Sequence, residues 1–171
     1  SISTNQGLRI ILENNSRAEP IIRDADIVGF DMKSLSFMAS SNPNGIDPRL
    51  ACILSKYAGQ SIKTYFFGLF DLNQNVASNK LYSEIIWYFI DSLNNRINES
   101  NFDDSQMFFK YIVQTSGRDI IFYKSKVSER WWMTINSSNN KTKFLSCLES
   151  DYRDALNNNI PNRWLKASKR I

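Results

Sequence analysis

A chain of 171 residues and 19.8 kDa, 42% hydrophobic and 13% aromatic, can bury a core without covalent staples, which argues against a disordered segment or a disulfide scaffold. Lys and Arg number 21 against 17 Asp and Glu, a net charge of +4 with no long basic run, which disfavours nucleic acid as a partner. Histidine is absent, so no imidazole of this chain can act as base or metal ligand; most zinc and iron sites fall with it, while carboxylate sites stay open.

Leu8, Ile11 and Leu12 form a short helical stripe that Pro20 is expected to end. Ala25 to Asp31 is an apolar run between acids and predicts a buried strand of a parallel sheet; Gly29 either weakens it or marks a close backbone approach. Residues 37 to 47 carry Ser40, Ser41, Asn42, Pro43, Asn44 and Gly45 and predict a loop. Asp47-Pro48 is a helix start, Asp as cap and Pro at the first position; Leu50, Ile53, Leu54 and Tyr57 share a face, and Gly59 supplies the stop. Lys63 to Leu72 predicts a second strand, making a strand–helix–strand unit with parallel strands. Ser78 to Arg96 is the strongest helical pattern, with Leu81, Ile85, Tyr88, Phe89 and Leu93 in register.

A polar linker, Asn98 to Ser105, separates this α/β half from a β-rich part, giving units 1–97 and 98–171 expected to share one core. Three strands are predicted there, Phe108 to Val113, Asp119 to Tyr123 and Arg130 to Ile135, the first two joined at Ser116-Gly117. A polar loop from Asn136 to Lys143 leads to a helix over Ser150–Asn157, and the chain ends in a basic tail from Ile160. Cys52 and Cys147 form no CxxC pair, and Cys52 sits among apolar residues as a small hydrophobe. No apolar stretch approaches the roughly 20 residues that span a bilayer, so no membrane association is expected and a reducing cytoplasm is the expected compartment.

Ligands of open α/β sheets bind beyond the carboxyl ends of the strands. Asp31 ends the first predicted strand and Asp71 the second; two carboxylates on one rim could hold a hard cation or meet a cationic substrate. The alternative is that each is a solvated loop former. Arg130-Trp131-Trp132 joins a cation to stacking surface, as nucleic-acid sites do, but adjacent tryptophans in a strand more often pack, one on each face.

The segment Ala18-Glu19-Pro20-Ile21-Ile22-Arg23-Asp24-Ala25-Asp26-Ile27-Val28-Gly29-Phe30-Asp31-Met32 resembles the approach to the last metal motif of the arginase/agmatinase/formimidoylglutamase superfamily, in particular the arginase-family proteins of Bacteroidetes-type bacteria. Further matching pieces follow in the family's order across nearly the whole chain, among them Asn42-Pro43-Asn44-Gly45, Tyr57-Ala58-Gly59, Gly68-Leu69-Phe70-Asp71-Leu72-Asn73, Ile85-Ile86-Trp87-Tyr88-Phe89-Ile90, Phe122-Tyr123-Lys124-Ser125, Arg130-Trp131-Trp132-Met133 and Ile160-Pro161-Asn162-Arg163-Trp164. The resemblance implies a three-layer α/β/α fold with a β-rich C-terminal extension, hydrolysis of an amidine or guanidine C–N bond, a binuclear manganese centre, and an oligomer.

The family's metal ligands come from a Gly-Gly-Asp-His type segment, an Asp-Ala-His-x-Asp segment and a final Asp-x-Asp segment. The first two are missing here, so the resemblance implies the carboxyl-terminal half of a family member, without manganese and inactive alone. Asp31 matches the first carboxylate of the final segment, but Lys33 stands at the second. An ammonium there repels a dication by several kcal/mol at an effective dielectric of about 20 and is expected to take the metal's place beside Asp31, both on one side if the strand continues; the alternative is Lys33 turned to solvent. Asp71 matches the acidic residue that faces the substrate's cationic end, although the following segment, Asn73 to Ser78, is shorter than in the family and lacks an acidic residue. A half sheet of this kind exposes a strand edge and an apolar face, so a homo-oligomer or a complementary N-terminal half is the expected partner. Two non-catalytic readings stand beside the hydrolase: a structural or partner-binding remnant, and an independent anion- or nucleic-acid-binding module built on the basic aromatic region.

Overall fold

The computed structural model describes residues 15–36, 45–72, 76–136 and 142–169. The stripe at Leu8 to Leu12 and most of the predicted 37–47 loop lie outside them. The chain divides into two compact units, Ser1–Ile97 and Asn98–Ile171, each with its own buried clusters. The first carries a small parallel sheet with helices, the second an antiparallel sheet with helices, so the chain is mixed α/β.

In the first unit a 3₁₀ turn, Asn15–Ala18, runs into α1, Glu19–Arg23. Pro20 stands in the first turn of this helix, where its missing N–H has no partner to lose. Strand β1 is Ile27–Asp31. Helix α2, Pro48–Gln60, starts as its sequence demands: the Asp47 side chain accepts from the Arg49 and Leu50 amides at 2.8 and 3.3 Å. Its end is built differently from the expectation. Gly59 lies inside the helix, where an added Cβ would press on the Phe89 carbonyl oxygen and come within 2.8 Å of Ser92 Cβ. The glycine is there to let α3 approach. The stop comes from Ser61, extended at φ −77°, ψ 127°. Its hydroxyl donates to the Arg23 carbonyl at 3.0 Å and accepts from the amides of Lys63 and Thr64. Arg96 covers the Gly59 carbonyl at 2.8 Å and that of Thr64 at 3.2 Å.

Strand β2, Phe66–Phe70, is shorter than the apolar run that contains it and pairs in parallel with β1, Ile27 opposite Phe66 through Asp31 opposite Phe70. Helix α3, Val76–Leu93, follows. Leu50 and Leu54 of α2, Leu81, Tyr82 and Ile85 of α3, and Ile22 of α1 pack with Phe30, Met32 and Leu35; Val28, Phe67 and Leu69 join from the strands. The Ser55 hydroxyl locks the two long helices by donating to the Ile85 carbonyl at 2.6 Å. All of this sits on one side of the sheet. On the other side Ile27, Phe66 and Phe70 are 70%, 50% and 51% exposed. The expectation of a fully buried parallel strand is thus corrected: among the described residues only one face is covered. Gly29 does mark a close approach, since a Cβ there would lie 2.6 Å from the Phe70 ring.

The second unit is a meander in the order β3 (Phe108–Thr115), β4 (Arg118–Ser125), β5 (Trp131–Asn136), β6 (Thr142–Cys147). Ser116 and Gly117, at φ 48° and 74°, make the tight turn between β3 and β4. Strand β6 replaces the expected end of a loop, and the basic tail contains α5, Asn162–Ser168, beyond α4, Glu149–Leu156. One face of the sheet carries Val113, Ile120, Phe122, Trp131, Met133 and Ile135 against Ala155 and Trp164. The opposite face carries Phe108, Tyr123 and Trp132 with Phe102, whose ring stacks on Phe144 at 3.9 Å. The segment read as a polar linker thus supplies a core aromatic.

Candidate functional site

The carboxyl ends of β1 and β2 form one rim, because parallel strands in register end together. Asp31 is the last residue of β1 and Asp71 the first beyond β2. After Asp31 the chain tightens at once into a 3₁₀ turn, Met32–Ser34, which Asp31 caps. Its Oδ1 accepts from the Lys33 amide at 2.9 Å, and the Ser34 hydroxyl donates to its carbonyl at 2.6 Å. A short polar side chain that satisfies the first orphan amide is what a turn start requires.

This turn corrects the expected placement of Lys33. Strand alternation stops at Asp31, so it cannot set Lys33 beside that carboxylate. The ammonium instead reaches across to β2 and pairs with Asp71 Oδ1 at 3.1 Å. Both partners are open to water, at 67% and 51% exposure. An exposed pair of this kind contributes about 0–1 kcal/mol. Asp71 itself adopts φ 53°, a left-handed conformation that Asp tolerates because its short side chain can hydrogen-bond locally. Asp31 and Asp71 therefore each do part of what loop formers do.

The rim holds two carboxylates and one ammonium. A manganese pair calls for several oxygen or imidazole donors. Here one carboxylate oxygen is engaged by a backbone amide and the other carboxylate by a cation, and among the described residues no group of three or more His, Cys, Asp or Glu could hold a metal ion. These residues do not fit that centre. The Cys52 thiol is not poised for nucleophilic work: burial, then the nearby Glu84 and Asp47 carboxylates, push it up from its ordinary range, keeping it protonated. The Tyr57 hydroxyl is likewise pushed up, by burial and then by Glu19.

The other chemistry-bearing motif resolves as packing. Trp131 and Trp132 point to opposite faces of β5, Trp131 clustered with Tyr111 at 5.6 Å and Tyr152 at 4.8 Å, Trp132 edge-on to Phe102 and Phe108. Arg130 lies 3.6 Å from Glu99, a buried carboxylate that also accepts from the Ser128 hydroxyl. Glu99 sits in the segment read as a linker, and only its neighbourhood to Arg130 in space marks it. In the basic tail, Arg163 donates to the Ser146 carbonyl, and the Trp164 indole that Arg118 covers at 5.5 Å donates to the Thr134 carbonyl at 3.0 Å. Among the described residues no helix is long and apolar enough to cross a membrane. Compared with protein-family models, with curated proteins and with solved structures, the chain matches none.

Proposed function

We propose that this chain is the carboxyl-terminal part of an arginase-superfamily C–N hydrolase, formimidoylglutamase-like, whose reaction is manganese-dependent hydrolysis of a guanidino or formimino group, and that by itself it does not turn over. The sequence resemblance motivates the reading, and one structural observation supports it: a strand–helix–strand unit delivers Asp31 and Asp71 to a common rim while, among the described residues, the opposite sheet face is uncovered. All-parallel sheets are found almost only with both faces covered. In this reading the third layer comes from a complementary N-terminal half or from further copies in an oligomer. In this reading Asp71 faces the cationic end of the substrate, and Asp31 is the one metal-ligand position of the family's final motif that this chain keeps. Buried thiols at Cys52 and Cys147 suit a reducing cytoplasm.

A second reading, a non-catalytic structural or partner-binding remnant of that family, is favoured by a specific observation: Lys33 engages both carboxylates, one through its amide and one through its ammonium. The test is manganese content after dialysis, together with release of urea or formamide from guanidino and formimino amino acids. The chain alone is expected to retain less than one manganese and to show no turnover; clear turnover or stoichiometric metal overturns the proposal of inactivity. A family N-terminal half carrying the two missing motifs is then added. A single co-sedimenting complex is expected, and its absence overturns family completion. An active complex decides for the hydrolase, an inactive one for the remnant.

A further inference from the structure

We draw no further inference here: the strongest candidate, the uncovered sheet face of the first unit formed by Ile27, Phe66 and Phe70, carries nothing beyond the reading just proposed, because nothing in the structure shows what covers it.

Discussion

Substitutions at Asp71 separate its two duties, pairing with Lys33 and sustaining a left-handed backbone. Asp71→Asn removes the charge and keeps a side chain that tolerates φ 53°. Its cost is the ion pair alone, about 0–1 kcal/mol for partners this exposed. Asp71→Ala removes the charge and also forces an alanine into the left-handed region, adding roughly 1 kcal/mol. A domain of about 100 residues converts 1 kcal/mol into a shift of about 4–8 °C in Tm, so the two variants are distinguishable by urea or thermal unfolding followed by circular dichroism. Salt gives the decisive control. At about 1 M ionic strength the Debye length shrinks to roughly 3 Å, so the difference between wild type and Asp71→Asn should vanish while that between Asn and Ala persists. Lys33→Met should match Asp71→Asn, and the double variant should cost no more than either single one. If Asp71→Asn costs about 3 kcal/mol, or its cost is indifferent to salt, the pair is not the exposed contact described and the rim has a structural role.

Gly59→Ala should destabilise by about 1–3 kcal/mol, because the methyl meets Ser92 and the Phe89 carbonyl; at an open helical position the same change stabilises by up to about 1 kcal/mol, so the sign measured by denaturation decides whether α3 approaches there. Trp164→Phe keeps most of the apolar volume but leaves the Thr134 carbonyl without its indole donor, and a loss of about 1–3 kcal/mol in urea unfolding is expected; an unchanged midpoint would refute the bond. Glu99→Gln should cost about 1–3 kcal/mol by the same measurement, since it weakens the buried acceptor of the Ser128 hydroxyl and removes the charge facing Arg130, and a neutral result would count against those contacts. The Cys52 thiol is held up by burial. Its contribution to stability is therefore complete below the unfolded thiol's ordinary value of about 8.5 and is lost as pH rises from there towards the folded value, because only the unfolded state ionises. Cys52→Ala should flatten that part of the stability–pH curve, and an unaltered slope would show the thiol to be accessible.

The α/β half was legible because its signals are local. The Asp47-Pro48 start of α2 needs only one side chain and one ring, and it forms as read. The helical period through Leu81 and Ile85 and the paired Trp131 and Trp132 needed only the geometry of helix and strand. Strand β6 was hidden because both its faces are partly buried: Leu145 and Cys147 pack on one side and Phe144 on the other, which erases the alternation that marks a one-sided strand. Helix α5 was hidden because its short, basic sequence has one buried residue, Trp164, whose partner Thr134 is 30 residues away.

By itself the sequence determined the strand–helix–strand unit with its long following helix, the parallel pairing of the first two strands and the lack of any imidazole in this chain, since these follow from composition, period and caps. Only the tertiary structure decided which carboxylate Lys33 meets, what Gly59 is for, and which sheet face stays uncovered. Each of these depends on where a turn redirects the chain or how closely two helices approach. Such distances are set by contacts between residues far apart in the chain, which no local pattern encodes.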